Sequence, residues 1–458
     1  MKLPDGPLIH PNLVRLQWAT RPLEFLEACQ KRYGDAFTLR FEQKSFSTPY
    51  VVCSHPQAIQ EIFAATPDSF VSGCRNSVFQ PLLGYNSLLL LDGDRHRQQR
   101  RLLMPPLHGE RLHTYGQQIC EITDEVTSQW QVGQAFNIRS SMQAIAFGVI
   151  SQVALGKYSE SHFEQIQKPL SALVETGESQ IISSLPLIGQ LQRYLHSRSP
   201  IEDFFDQKEQ LDEVLNALIR ERRYAQQRYH WAKPGNCGED ILSLMLSARD
   251  EAGRPITHAE IHDELMTLLV VGHETTASAL VWGLYWIHRH PDVQERLLKE
   301  LNTLGDDTDP NQIAQLPYLD AVVKETLRIY PITLTTFERM VKAPVSVMGY
   351  EFEPGTVLLP CIYLTHHRED IYPEPKRFRP ERFLERQFSR YEYLPFGGGN
   401  RRCIGMALAQ FQMKLILAKV LLRFQLALRK NRPVKPIRRG VTLAPPSGMQ
   451  MVACKKRF

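Results

Sequence analysis

From Thr257 to about Arg289 the chain carries one helical pattern with no proline in it. About 33 residues at roughly 1.5 Å each give about 50 Å of helix, long enough to cross a whole molecule. Thr257 and Glu260 form a capping box, in which the hydroxyl caps the first turn and the carboxylate reaches back. His290-Pro291 ends the run, because proline disfavours helix in the residue before it. The interior is awkward for a helix, since it holds Gly272-His273-Glu274-Thr275-Thr276. A mid-helix glycine costs about 1 kcal/mol against alanine, and threonine can bond back to a carbonyl one turn earlier. Two readings stand: close packing with threonine as filler, or a helix locally opened beside a flat ligand with an acid and a hydroxyl placed to pass protons.

A second constraint is the run Phe396-Gly397-Gly398-Gly399-Asn400-Arg401-Arg402-Cys403-Ile404-Gly405. Three glycines make a tight turn bare of side chains. Two arginines and one thiol follow, and an apolar helical run continues to about Leu422. A thiolate held still in such a turn suits a large flat metal cofactor, and cysteine is one of the few side chains that ligate haem iron.

Around these two features the texture is mostly helical with a smaller β-rich part. Pro22 to Tyr33 reads as a helix, and Ala36 to Phe41 and Tyr50 to Cys53 as strands. Residues 94–330 and 403–422 read as the helical part, and about 34–60 and 340–362 as the strand-rich part. Val345 to Met348 and Gly355 to Pro360 are expected to pair as a short hairpin, and Tyr372 to Phe383 is expected to be irregular. No linker tract or repeat divides the chain, so residues 1–458 are expected to form a single domain.

Composition excludes several classes. The net charge of +5 is too small for its length to argue nucleic-acid binding. None of the eight cysteines forms a CxxC pair, which leaves zinc ribbons and thioredoxin-like chemistry unsupported. No stretch approaches 18 uninterrupted apolar residues, and the opening residues lack an apolar signal core, so a cytoplasmic protein without a membrane span is expected.

The remaining motifs are ordinary one at a time. Glu325 and Arg328 share a helix face, like many surface pairs. Arg382, in Pro380-Glu381-Arg382-Phe383, offers a second guanidinium for Glu325. His96 and Arg100 share another helix face and suit an acidic group, which Arg339 and Arg401 can join. His366-His367 lacks partners at metal-ligand spacing and reads as structural.

Taken together and in this order, the motifs resemble the cytochrome P450 superfamily of haem-thiolate monooxygenases over nearly the whole chain. The glycine turn fits F-x-x-G-x-R-x-C-x-G at Phe396, Gly399, Arg401, Cys403 and Gly405. The resemblance implies the cytochrome P450 fold, with the long helix running over haem b (iron protoporphyrin IX). It implies Cys403 as the iron ligand, and His96, Arg100, Arg339 and Arg401 as partners of the haem propionates. Glu325, Arg328 and Arg382 become a structural triad, and Thr275 with Glu274 the pair that manages protons for bound O2. One departure stands out: Val271 occupies a position where the family usually has alanine or glycine.

The resemblance is closest to soluble bacterial members, in particular cyanobacterial ones acting on fatty acids, alkanes or terpenoids. It implies insertion of one oxygen atom from O2 into a hydrophobic substrate walled by Phe79, Tyr85, Val271, Leu334 and Met449. A monomer is expected, with electrons from a ferredoxin or flavodoxin and its reductase, drawn to a basic face that includes Arg401, Arg402, Lys376 and Arg377. Arg75 is a further candidate for anchoring a substrate carboxylate, or a surface residue. A peroxide-using hydroxylase or isomerase with the same haem site, and a non-catalytic haem-binding sensor, are the alternatives.

Overall fold

The computed structural model describes residues 3–41, 48–156, 160–178, 200–229, 240–249, 253–305 and 308–457. The chain packs as two compact units: Met1–Arg75 with Trp130–Ile138 and Ser278–Phe458, and Asn76–Gln129 with Arg139–Ala277.

The first unit holds the strands among the described residues. Its five-stranded sheet runs in the order 36–40, 49–53, 357–360, 339–341, 70–71. Pro49–Cys53 and Val357–Pro360 are parallel neighbours, with Tyr50 opposite Val357, and the other pairs are antiparallel. The two central strands read Val51-Val52 and Val357-Leu358-Leu359, all buried, as befits strands covered on both faces. Pro22–Tyr33 lays Phe25, Leu26 and Cys29 against one side of this sheet.

The expected hairpin forms with different partners. Val345–Val347 pairs with Tyr350–Phe352, while Val357–Pro360 joins the large sheet. The two-residue turn Met348-Gly349 has positive φ at both positions, the geometry a tight hairpin requires. Methionine is rarely found there, which hid the turn in the sequence.

Also in this unit, Pro317–Ile329 and Met406–Arg423 are both largely buried helices. Lys414, on the latter, is held by Asp320 at 2.6 Å on the former. A smaller sheet places Gln450–Lys456 between Ala135–Asn137 and Phe424–Leu428.

The second unit is helical throughout its long elements: Gly93–Leu103, Gly116–Ser128, Ile138–Leu155, Glu160–Glu178, Pro200–Tyr229 and Ile241–Ser247. The helix His258–Arg289 begins here. Its capping box is present, with the Thr257 amide donating to Glu260 Oε2 at 3.0 Å and the Glu260 amide to Thr257 Oγ1 at 3.2 Å. The helix is α-helical through the Gly272–Thr276 segment, so of the two readings the unopened helix is the one present. Gly272 has a packing reason: a Cβ on it would stand 2.6 Å from the Ile150 side chain. Among the described residues this is the one helix long and apolar enough to cross a membrane, and 78% of its apolar window is buried within the protein.

Candidate active site

The glycine turn is explained residue by residue. Gly397 and Gly399 have φ of +66° and +64°, which disfavour any side chain. Gly398 is extended, but a Cβ there would lie 2.1 Å from the Phe63 ring. Phe63, on helix Pro56–Ala64, therefore presses against bare backbone. The turn closes with the Cys403 amide donating to the Phe396 carbonyl at 3.0 Å.

Cys403 is exposed, whereas Cys29, Cys53 and Cys361 are buried and burial pushes their thiols up, to about 11, 12 and 12. The 18-residue helix Met406–Arg423 starts three residues on, and the positive end of its dipole favours a thiolate nearby. Arg401 is buried in the same turn. Arg339 is buried too, and donates from Nη2 to the Gly398 carbonyl at 3.3 Å and from Nη1 to the Phe337 carbonyl at 2.9 Å. Among the described residues no group of three or more His, Cys, Asp or Glu side chains is placed to hold a bare metal ion. One exposed sulfur fits a metal that arrives with its other ligands already supplied by a macrocycle.

Glu325, Arg328 and Arg382 meet in the interior of the same unit. Arg328 donates from Nε and Nη2 to the two Glu325 oxygens at 2.6 and 2.9 Å, and Arg382 Nε donates to Oε1 at 3.1 Å. The Arg379 amide completes the acceptor at 2.8 Å. His366 was read from the sequence only as structural; it ties this network to the turn before Cys403. Its Nε2 accepts from the Leu394 amide at 3.0 Å, so its Nδ1 carries the proton that faces the Arg328 carbonyl at 3.2 Å. Burial, reinforced by the Arg328 charge, keeps the His366 ring neutral. His367 bonds the Tyr363 carbonyl at 2.8 Å.

In the second unit, His96 is buried and Arg100 half-buried on helix Gly93–Leu103. Val271 is 38% exposed. Thr275, one turn later, donates its hydroxyl to the Val271 carbonyl at 2.8 Å. Glu274 is turned away from that face. It is buried, ion-paired with buried Arg139, and accepts from Gln143 Nε2 at 2.8 Å. Arg139 and Gln143 sit one turn apart on helix Ile138–Leu155, and at 135 and 131 residues from Glu274 no local pattern announces them. Glu264, on helix His258–Arg289, is fully buried, and burial pushes its carboxyl well above the usual carboxylate range.

Near the start of the long helix, a polar cluster fixes the loop that carries Tyr85. Asp263 Oδ2 accepts from the Asn86 amide and side chain, both at 2.9 Å. Gly84 is required, because a Cβ there would lie 2.1 Å from Asp263 Oδ1. His262 lies between Asp263, at 3.2 Å, and Asp212 of helix Pro200–Tyr229, at 3.1 Å. The His262 Nε2–Asp212 contact is a charge pairing and lacks hydrogen-bond alignment.

Burial disfavours the charged His262 ring, but the two carboxylates outweigh it and push the group up to about 9. A raised folded-state value makes the stabilisation complete below about pH 6.5 and progressively lost as pH rises through about 9. Wild-type stability is therefore expected to fall across that interval. His262→Gln should flatten that part of the profile, read from urea midpoints at pH 6 and 9.5. An equal slope in both proteins would contradict the assignment.

The expected substrate-wall residues do not share one environment. Phe79 is half-buried, and Tyr85 is 76% exposed. Leu334 and Met449 are buried, Leu334 within the core cluster that includes Phe37, Leu39 and Leu359. The expected basic face is largely neutralised. Lys376 pairs with Glu27 at 2.8 Å and Arg377 with Glu374 at 3.2 Å, and Arg401 is buried. Arg402 is exposed. Arg75 is also spent: its Nε donates to Glu338 at 2.8 Å and its Nη2 to the Tyr50 hydroxyl.

Comparison with known proteins identifies the class. The cytochrome P450 family model matches residues 4–452. The chain is 34% identical over 455 residues to the putative cytochrome P450 135B1 of Mycobacterium tuberculosis, covering 98% of this chain and 91% of that one. It is 31% identical over 450 residues to the putative cytochrome P450 135A1 of the same organism, covering 98% and 94%. Its fold is similar to that of retinoic acid-bound cyanobacterial CYP120A1, with a TM-score of 0.83 at 24% identity over 99% of this chain and 100% of that one.

The chain belongs to the cytochrome P450 family. It is thus an oxidoreductase of the haem-thiolate monooxygenase class, which binds iron protoporphyrin IX, uses O2 and draws electrons from redox partners.

Proposed function

We propose that this monooxygenase acts on an apolar substrate, a fatty acid, alkane or terpenoid, with Cys403 as the iron ligand and electrons from a ferredoxin or flavodoxin. The observation that carries the site assignment is the exposed Cys403 thiol in its glycine turn, beside the buried Arg401. Thiolate-bound haem supplies the activation of O2. Arg401, Arg339, His96 and Arg100 serve the propionates. Glu325, Arg328 and Arg382 hold the backbone that leads to the turn. The apolar class is supported by the exposed Val271 one turn before Thr275, and by retinoic acid in the related fold.

Thr275 and Glu274 have separate tasks. The Thr275 hydroxyl, bonded to its own helix at Val271, is a donor already held in place on the half-buried face. Glu274 holds its charge against Arg139, so it passes a proton onward only when its side chain leaves that pair. Thr275→Ala is expected to lower hydroxylated product per electron pair by about tenfold or more, the scale of a lost proton donor. Reductant consumption should continue and release peroxide or water. Unchanged coupling would remove Thr275 from proton delivery. The acid–hydroxyl pair favours O2 over the peroxide-using alternative, and turnover with peroxide but none with a reductase system would reverse that choice.

A further inference from the structure

A cavity of about 160 Å3 lies in the first unit, lined in part by Trp18 of helix Pro11–Thr20. Trp18, Phe41 and Tyr50 form its aromatic wall, each ring set edge-on to the next at 5.9 and 5.0 Å between centroids. Leu334 and Leu359 close the floor, and the 53% exposed Val441 marks its outer side.

Two charged side chains line it. Glu338 is paired with Arg75 at 2.8 Å, so its charge is already matched. Arg438 is not matched by any carboxylate among the described residues. Its Nε donates to the Gly440 carbonyl at 2.8 Å and its Nη1 to the Trp18 carbonyl at 2.7 Å, with the guanidinium 5.5 Å from the Trp18 ring centre. Nη2 has no partner among the described residues, and the Thr335 hydroxyl, on the same lining, has none either. Burial without a counter-charge lowers the Arg438 guanidinium from 12.5 to about 10. Arg438 is half-buried, and a guanidinium withdrawn from water is ordinarily paired or hydrogen-bonded. Two carbonyls and a ring hold this one in a fixed orientation with its remaining donors unused.

We propose that this cavity binds the carboxylate end of an amphipathic ligand, with Arg438 as the cation and the aromatic wall against the first carbons of the chain. Whole-ligand pockets enclose about 300–1,000 Å3, so a cavity of this size takes one end of a molecule. A carboxylate matches the planar fork of guanidinium donors. Arg75, which the sequence offered either as a carboxylate anchor or as a surface residue, is paired with Glu338 of the cavity lining. The proposal deepens the apolar-substrate reading and rests on it for the identity of the tail.

The test uses the haem-loaded full chain and compares dodecanoate, dodecan-1-ol and hexanoate by calorimetry, with Soret shifts recorded in parallel. Arg438→Met should weaken dodecanoate binding about tenfold or more, the scale of one lost charge-assisted contact, and leave the alcohol within about twofold. Arg438→Lys should retain part of the affinity. Val441→Asp places a competing carboxylate at the exposed rim while leaving the Arg438 contacts to Trp18 and Gly440 in place, and should also weaken dodecanoate. This variant serves if Arg438→Met does not fold.

Equal losses for acid and alcohol, or no loss for either, would overturn the proposal. Dodecanoate binding with a Soret shift, weakened in Arg438→Met, supports the proposal and shows that the bound acid also perturbs the haem. Binding of hexanoate as tight as dodecanoate, with no Soret shift, would overturn the amphipathic assignment. Calorimetric binding is read independently of the thiolate spectrum, so a failure of the monooxygenase reading is separable from a failure of this one.

Discussion

Glu325→Gln is expected to destabilise the protein by about 3–5 kcal/mol, the scale for removing one member of a buried charge network. Glu325 accepts four hydrogen bonds, from Arg328 Nε and Nη2, Arg382 Nε and the Arg379 amide. It is 0% exposed, as is Arg328, and Arg382 is 3% exposed. A glutamine keeps the volume but turns an NH2 group toward donors and removes the one carboxylate among the described residues that neutralises the pair. Arg328 retains the His366 carbonyl at 2.8 Å, which carries no charge to offset its own. His366 cannot help, because burial and the Arg328 charge hold it neutral. Such a loss is a large fraction of the ~5–15 kcal/mol that stabilises a typical domain. Urea midpoints and haem content after purification measure it, and a change under about 1 kcal/mol would mean the network is not what holds this region.

Arg139→Met is expected to be comparably damaging in the second unit, at about 3–5 kcal/mol. Glu274 would keep Gln143 as a donor but lose its cation while remaining buried. The double variant Arg139→Met with Glu274→Met should recover much of the loss, since a buried ion pair replaced as a whole by apolar groups is often near neutral. A double variant no better than the single one would show that Arg139 acts through packing and not through Glu274.

The parts of the fold set by local chemistry were legible in the sequence. The capping box at Thr257 and Glu260 and the proline at 291 bound the long helix as expected, and Pro22–Tyr33 forms the helix its spacing predicts. Parts set by distant partners were not. Val357–Pro360 reads as half of a hairpin until residues 49–53 take it as a parallel neighbour. Gly398 reads as one of three flexible glycines, yet its reason is a Phe63 ring from 335 residues earlier.

At the candidate site, Cys403, Thr275 and the triad carried recognisable spacings. Arg139, His262 with Asp212, and Arg438 carried none, because their roles arise from which charges the fold leaves paired or unpaired. Lys376 and Arg377 illustrate the converse. A basic run reads as a docking face, but Glu27 and Glu374 already answer it.

The central claim is that Cys403 is the haem ligand of this chain. The most direct measurement is the difference spectrum of the reduced, CO-treated protein, taken for the wild type and for Cys403→Ser at equal haem content. The wild type should show the strongly red-shifted Soret band of a thiolate-ligated haem, and Cys403→Ser should lose it while Cys29→Ser retains it. A wild type without that band, or a Cys403→Ser variant that keeps it, would contradict the account.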